Sequence, residues 1–431
     1  MARNFRICVF LSLGCCLSCV AASAVAADLR SSIDERTIVR TVSVQQATEV
    51  EPKPEPEWDS IPGYTTEEMG YDAGYLPSCG FDDCGRADQT WAGVEYLMWW
   101  RNGRYFPALV TTLPNNGTLP GATVLFGGGE IQEVARPGGR LEVGHWFDES
   151  HCLGIGGHLA VVADSPVSMT LTPNDLAFFA QPFFDASRNN LPVANPVFNV
   201  ATDRTGQLHL QSGSEVLAAD FFVRWLLWRN CATRLDLLCG YQFARINENL
   251  FIDTFTEKLQ GITIAQHDAF VATNEYNAGH VGFLGEYRMG CWGLELLAKF
   301  GFGSMRQVVT IGGSTTVTTN GDVSNRASGL LAQSATNGGV HSQDTFSFME
   351  DIGVKLAYYP TERLKFSLGY SLMYWSSVVR PGNEIDLSVD SRLFPPGGIP
   401  PGGPAATNPA FAFDPTHFLV HGLNLGAEIQ F

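Results

Sequence analysis

The sequence predicts an all-β fold, an antiparallel transmembrane outer-membrane β-barrel of about ten strands, or twelve, behind a disordered acidic N-terminal arm. Three observations predict it: a secretory signal, segments that alternate apolar and polar residues, and a final strand that ends at Phe431. No later stretch reaches the roughly eighteen continuous apolar residues of a membrane-spanning helix, so a spanning chain must form a closed barrel. We divide the chain into a signal peptide at 1–27, the arm at 28–88 and the barrel at 89–431.

The amino terminus has the three parts of a secretory signal peptide. Arg3 and Arg6 form a short basic region, residues 7–20 are mainly apolar, and small residues follow at 22–26. This order is typical of a segment that is removed during export. We expect cleavage after Ala26 or Ala27.

The segment 28–88 has a different composition from the rest of the chain. It holds fourteen Asp and Glu against five Lys and Arg, and it includes the proline-rich stretch 51–57. Prolines and like charges oppose packing, so we expect an extended periplasmic arm without a fixed structure. The whole chain has a net charge of −17, and this acidic balance argues against nucleic acid as a partner.

The carboxy-terminal segment shows the barrel pattern most clearly. One face carries Leu419, Leu423, Leu425, Ala427, Ile429 and Phe431, and the other carries Asn424, Gly426, Glu428 and Gln430. Successive strand residues point to opposite faces, so this strand has one lipid side and one polar side. We expect Phe431 to be the assembly signal that the barrel insertion machinery reads.

Nine further segments alternate in the same way, and their connections alternate in length. The strands are predicted at 91–101, 140–148, 153–162, 216–228, 233–245, 277–288, 292–303, 348–359, 363–375 and finally 416–431. Long connections are predicted at 102–137, 165–206, 253–275, 305–344 and 380–415, and short ones near 149–151, 229–231, 289–291 and 360–362. Outer-membrane barrels have short periplasmic turns and long external loops, whereas a soluble sheet has no reason to sort its loops. Both termini are then periplasmic, and a hairpin at 122–134 is the source of the twelve-strand alternative.

Three stretches resemble a known family. The segments 91–100, 139–147 and 379–386 are similar to a planctomycete family of β-barrel proteins, the β-barrel porin family numbered seven, which was formerly a domain of unknown function. The resemblance covers about 90–431 and implies the fold and the outer-membrane location. It implies no functional residues, because none are assigned in the family.

Charged residues of both signs fall on the lumen side of the predicted strands. In a ten-stranded barrel the interior is narrow, so these charges either form ion pairs that plug the lumen or line a channel for small polar solutes. The first alternative gives a structural or surface-interaction barrel that works through its long loops, and the second a porin-like passage. The predicted lumen charges are Glu95, Arg101, Glu142, Asp220, Arg224, Arg234, Asp236, Glu286, Arg288, Glu295, Lys299, Lys355, Lys365 and Glu428.

The sequence offers little support for an enzyme. A barrel hydrolase needs a histidine with Ser or Asp at its rim, and the candidates are His151, His209, His267 beside Asp268, His341 and His417. No nucleophile or phosphate-binding motif accompanies them, and no metal-ligand spacing is present. We expect no catalysis, no cofactor and no metal, with outer-membrane lipid as the surrounding partner.

Six cysteines follow the signal peptide, in an envelope that permits disulfides. Cys79 and Cys84 could close a small ring. Cys152, Cys231 and Cys291 all lie at short turns, so we predict that Cys231 pairs with one of the other two. Cys239 falls on the lipid side and is expected to act as a small apolar residue.

Overall fold

The computed structural model describes residues 89–131, 134–164, 166–202, 204–258, 261–394 and 404–431. The predicted signal peptide, arm and Cys79–Cys84 ring lie outside these residues. None of the helices described is long and apolar enough to cross a membrane. The described residues form four single-turn 3-10 helices at Asn115–Gly117, Ala186–Arg188, Val200–Thr202 and Ser391–Leu393, and nineteen strands: β1 Thr90–Arg101, β2 Arg104–Phe106, β3 Val110–Thr112, β4 Thr123–Phe126, β5 Gly129–Ile131, β6 Arg136–Trp146, β7 Leu153–Val162, β8 Val167–Leu171, β9 Phe178–Asp185, β10 Leu191–Asn199, β11 Thr205–Arg229, β12 Thr233–Lys258, β13 Ile262–Met289, β14 Trp292–Thr319, β15 Asp322–Arg326, β16 Gly339–Tyr358, β17 Leu364–Val378, β18 Ser388–Val389 and β19 Thr416–Gln430.

Ten of these strands close into an antiparallel barrel, in the order β1, β6, β7, β11, β12, β13, β14, β16, β17 and β19. The last strand pairs with the first, and Trp91 stands opposite Gln430. The backbone N–H groups of Thr90 and Phe431 each donate to the carbonyl oxygen of the other, both at 2.9 Å. Every one of the ten predicted strands is present, so the predicted fold class is confirmed.

The outward face of the barrel is apolar over the predicted strands. Side chains such as Tyr96, Phe221, Leu296 and Leu368 are about half exposed and stand where lipid would contact them. Trp292 packs against Tyr358 across β14 and β16, with ring centroids 5.0 Å apart, near the short turns. Aromatic rings at this boundary are typical of a membrane–water interface.

Several strands continue far beyond the membrane, which corrects two of the predicted long loops. A membrane-spanning strand needs about 9–11 residues, yet β13 and β14 each have 28. The connection predicted at 253–275 is instead the top of a hairpin in which β12 and β13 pair almost to their ends. Much of 305–344 is likewise strand. Strand pairing continues beyond the lipid because the inward apolar residues of these strands pack against the long connections inside the barrel mouth.

The long connections build a second sheet, which we call the cap. Its strands come from three separate connections: β3 and β4, then β9 and β10, and finally β18, which runs parallel to β9. The hairpin considered at 122–134 does not form, because β4 pairs with β3 while β5 pairs with β2. The barrel therefore has ten strands and not twelve.

The cap packs against the inner face of the protruding barrel strands. Phe179, Phe183 and Val197 of the cap belong to one buried cluster with Leu208 and Phe270 of the barrel. Cap side chains thus fill the barrel mouth at what we call the long-loop end. The opposite end, with the connections 147–152, 230–232, 290–291 and 359–363, is the short-turn end.

Candidate functional site: the barrel lumen

The lumen at the short-turn end is lined with ion pairs. Lys299 on β14 lies 2.6 Å from Asp220 on β11 and 2.9 Å from Asp351 on β16. Two strands separate β11 from β14 around the barrel, so the first of these pairs crosses the lumen. Lys299 is almost fully buried. A buried charge is stable only when it is paired, and here one ammonium group serves two carboxylates.

His158 extends the same network to β6 and β7. Its Nδ1 atom is 2.9 Å from Asp220 Oδ1, and its Nε2 atom is 3.2 Å from Glu142 Oε2. Glu142 also accepts a hydrogen bond from the indole N–H of Trp91 at 3.1 Å. The prediction from sequence missed His158, because a single histidine on an alternating strand carries no signal of its own.

Two further groups of ion pairs, centred on Glu95 and on Lys365, link the strands on either side of the barrel closure. Glu95 on β1 accepts from Arg140 on β6 at 3.2 Å and pairs with Lys355 on β16. Lys365 on β17 lies 2.9 Å from Glu295 on β14 and pairs with Glu428 on β19. Lysines therefore join strands that are not neighbours in the sheet.

Arginines form a fourth group nearest the short turns. Arg224 donates to Asp236 and to Glu286, each at 2.5 Å, and Arg234 also pairs with Asp236 at 2.7 Å. Both guanidinium groups stand over the ring of Trp146, at 4.9 and 4.4 Å from its centroid. Arg288 lies 3.4 Å from Glu286. Together the four groups involve all ten barrel strands.

These groups surround a cavity of about 350 Å³. The cavity extends from the short turns, where Asn230 and Gly290 line it, inward to Lys299 and Met373. Its walls hold both acidic and basic side chains, already paired with one another. The arrangement can hold water or a small polar molecule, and it brings together every predicted lumen charge except Arg101.

Arg101 lies apart from the other predicted charges. It is buried at the far end of β1, beyond Trp99, and faces a different ion pair at the long-loop end. There Arg380 binds Glu248 through two hydrogen bonds, of 2.9 and 3.0 Å. Arg380 also donates to the carbonyl oxygen of Gly103 at 2.9 Å, so this pair fastens two connections to the barrel wall.

An apolar layer separates the cavity from the long-loop end, and the sequence analysis did not predict it. Nine of the ten barrel strands contribute buried inward side chains. Within this layer, the indole N–H of Trp99 donates to Asn424 Oδ1 on β19 at 2.7 Å. The layer consists of Leu97, Trp99, Ala160, Val162, Val216, Ala218, Ala244, Ile246, Tyr276, Ala278, Met305, Met349, Met373, Trp375, Val378, Phe418 and Val420.

A signal for this layer was present in the sequence. Along β1 the inward positions change from Glu95 to Leu97 and Trp99, and along β17 from Ser371 to Met373 and Trp375. Successive side chains still point to opposite faces of the strand, but towards the long-loop end the residues on both faces are apolar. Trp99 and Trp375 are accordingly buried inside the barrel.

The candidate catalytic histidines have other contacts. His151 stacks on Trp146 and His341 on Phe411, with ring centroids 5.3 and 3.7 Å apart. His417 stacks on Tyr374. His267 pairs with Asp253 at 2.7 Å and not with its sequence neighbour Asp268, because successive strand residues face opposite sides.

Asp268 faces inward and accepts the backbone N–H groups of Leu330, Leu331 and Ala332. It therefore holds the connection between β15 and β16 in place. Among the residues that the structure describes, no group of three His, Cys, Asp or Glu side chains could hold a metal ion.

Of the two disulfides predicted at the short turns, the one between Cys152 and Cys231 does not form, because Cys152 is a free thiol. Its sulfur instead contacts the carbonyl oxygen of Ser150 in its own turn, at 3.8 Å. The pairing of Cys231 with Cys291 stays a prediction. Cys239 is also a free thiol, exposed on the outward face opposite Val281.

Comparison with models of known protein families shows which family the chain belongs to. Residues 91–431 match the family described as "Putative beta barrel porin-7 (BBP7)". The chain belongs to the BBP7 family. The expected family is thereby confirmed, while the planctomycete origin stays an expectation. No curated protein matches this BBP7 chain.

Solved structures resemble the BBP7 chain only distantly. The outer membrane protease OmpT from Escherichia coli has 11% identity and a TM-score of 0.37, over 80% of this chain and 98% of that one. The transport unit of the autotransporter AIDA-I from Escherichia coli has 8% identity and a TM-score of 0.24, over 80% and 91%. A Pseudomonas aeruginosa FadL homologue has 10% identity and a TM-score of 0.20, with the same coverage.

Proposed function

We propose that this protein is a closed outer-membrane barrel that displays a rigid extracellular platform and does not act as a constitutively open pore. The observation that carries the proposal is the apolar layer, in which Trp99, Met349, Trp375 and Phe418 are almost fully buried. Side chains from nine strands meet there. Water and ions have no polar path through such a layer, and apolar constrictions close channels by excluding water.

The cap supports the same proposal. The apolar cluster attaches the cap itself to the barrel wall, and buried polar contacts attach the connections that carry its strands. Arg104 donates to Ser212 Oγ at 2.7 Å, and Asn274 exchanges hydrogen bonds with the backbone of Val379 at 2.8 and 2.9 Å. Buried polar groups with partners are costly to separate, so the cap is a fixed part of the mouth.

Planar-bilayer recordings test the closed lumen. The folded wild-type protein is expected to give no conductance steps under conditions in which a general porin conducts. Folding is checked in the same sample by heat-modifiable gel mobility. Regular steps from the wild-type protein would contradict the proposal.

A gated passage for small polar solutes is a second candidate, which the charged 350 Å³ cavity favours. The variant Trp99→Ala/Met349→Ala/Trp375→Ala removes three large side chains from the layer. If the layer is the gate, this variant conducts, and neutralising Lys299 and Lys365 in it shifts selectivity towards cations. The matched control Tyr96→Ala/Val354→Ala/Tyr370→Ala truncates three lipid-facing side chains on the same strands and is expected to stay closed.

We also propose that both termini lie in the periplasm, that outer-membrane lipid surrounds the barrel, and that Phe431 is read by the insertion machinery. The support is the sorting of connections by length and the position of Phe431. It is exposed on the lipid side and bonded to the first barrel strand. No catalytic step is proposed.

A further inference from the structure

A row of polar side chains crosses the outer face of the protruding strands at the long-loop end. Thr170, His209, Asp253, His267 and Ser314 stand directly opposite one another on β8, β11, β12, β13 and β14. Neighbouring strands lie about 4.8 Å apart, so the row is about 19 Å long. None of these residues takes part in the cap or in the lumen.

The two histidine rings of the row are held by their neighbours. His209 Nδ1 lies 2.9 Å from Thr170 Oγ1, and His267 Nδ1 lies 2.7 Å from Asp253 Oδ1. The side chains of His267 and Asp253 are still 40% and 52% exposed, so both remain accessible. A ligand can therefore reach polar groups whose orientation is already fixed, which lowers the entropy cost of binding.

Aromatic rings flank the row on both sides. Phe251 and Phe255 lie two residues below and above Asp253 on β12, about 7 Å away along the strand on the same face. The Phe251 ring stacks on His267, with centroids 6.1 Å apart and an angle of 18° between the planes. Phe255 is 38% exposed. The face thus combines flat rings with hydroxyl, amide and carboxylate groups.

The row lines a groove of about 420 Å³. Among the described residues that line it, Asp253 is the one carboxylate, and none is Lys or Arg. The groove therefore lacks the cations that bind phosphates or nucleic acid. Its other polar groups include Gln207, Ser314 and Thr316, which donate and accept hydrogen bonds without charge.

A neutral oligosaccharide matches this surface. A sugar ring offers an apolar C–H face to an aromatic ring and hydroxyl groups to amides, hydroxyls and carboxylates, and aromatic side chains suit such mixed surfaces. We propose that the His209–Asp253–His267 row with Phe251 and Phe255 binds neutral oligosaccharide chains outside the cell. This inference rests on the proposed function, since it gives the extracellular platform a ligand.

The test measures the binding of three neutral hexasaccharides to the full-length protein in detergent by isothermal titration calorimetry: cellohexaose, hexa-N-acetylchitohexaose and maltohexaose. At least one is expected to bind. The variants Phe255→Ala and His267→Ala should each lower that affinity by about tenfold, the loss of one stacking contact. Phe346→Ala is the matched control. Phe346 is also an exposed phenylalanine, but it lies on β16, the strand next to β14, and outside the groove.

Each outcome decides the proposal. Failure of all three sugars to bind at millimolar concentration overturns it, as does an equal loss in Phe346→Ala. Heat-modifiable gel mobility shows whether each variant is folded. We expect all of them to fold, because the substituted side chains are exposed. The result is independent of the conductance test, so a closed barrel without sugar binding and a conducting barrel with sugar binding are distinguishable.

Discussion

At the scale of single residues, Lys299 shows how the lumen is held together. Its ammonium group is buried between Asp220 and Asp351, which belong to strands on either side of it in the barrel. Removing one partner of a buried pair leaves the others charged and unpaired, and the cost is much larger than the net contribution of the pair. Exposed pairs behave differently, because water solvates each charge that remains.

We therefore expect Lys299→Met to destabilise the barrel by about 3–5 kcal/mol. The measurement is the temperature at which the folded band disappears in heat-modifiable gel electrophoresis. Arg245→Gln is the control, since Arg245 pairs with Glu275 on the exposed outer face and its loss should cost under about 1 kcal/mol. Equal transition temperatures for the two variants would show that the lumen pairs do not stabilise the barrel.

Glu384 in the connection before β19 gives a pH-dependent contribution. Burial raises the pKa of Glu384 to about 7, because only its Oε1 atom has a donor, the Asp414 N–H at 3.1 Å, and Oε2 has none. The neutral acid is therefore favoured in the fold. Its stabilising contribution is complete below the unfolded pKa and is lost as the pH rises through about 7.

The variant Glu384→Gln should remove this pH dependence, with a difference from wild type of up to about 3 kcal/mol at pH 8 and none in acid. The measurement is the hydrogen-exchange protection of the amides at 380–390 between pH 5 and 8. Glu130→Gln, an exposed change in another connection, should leave the wild-type profile intact. A wild-type protection that does not change across this range would contradict the assignment.

At the scale of the element, β19 closes the barrel. It pairs with β1 on one side and with β17 on the other, and its last residue is bonded to the start of β1. A strand in this position cannot be left partly paired, because an unsatisfied backbone group in lipid is costly.

Replacing Phe431 with Asp, or deleting it, should impair assembly while export continues. A charge on the lipid face costs up to a few kcal/mol, depending on depth. The measurement is the ratio of heat-modifiable protein in the outer membrane to processed protein in the periplasm. The conservative change Phe431→Tyr should assemble normally, and normal assembly of the Asp variant would remove Phe431 as an assembly signal.

At the scale of the whole molecule, the two ends of the barrel differ in kind. The short-turn end opens into the ion-paired cavity, whereas the long-loop end is filled by the cap and extended by paired strands. If both termini are periplasmic, the turn after β14 at Asn320 and Gly321 is at the cell surface and the turn at Gly290 is not.

Epitope tags inserted at these two turns test the orientation. Antibody is expected to label intact cells through the tag at residues 320–321 only, and to label the tag at 290 after the outer membrane is permeabilised. Both turns are exposed and contain glycine or asparagine with positive φ, so they accept an insertion without loss of pairing. The reverse labelling would place the termini outside.

The sequence by itself determined the barrel wall. Alternation fixed which residues of β14 and β17 face lipid and which face inward, because the strand period of two is a local property. The alternating segments and the lengths of their connections predicted ten or twelve strands, and the structure decided for ten. The inward position of Glu95 and Lys365 followed from the same parity.

Only the tertiary structure decided what fills the barrel. Trp99 and Trp375 lie in one layer because the register of nine strands brings them to the same height in the barrel. The register between distant strands cannot be predicted from the sequence of any one segment. Likewise, the cap forms from strands that are more than two hundred residues apart, such as β9 and β18. The sequence alone left two outcomes for a narrow lumen, and the apolar layer between its two ends arises from long-range packing.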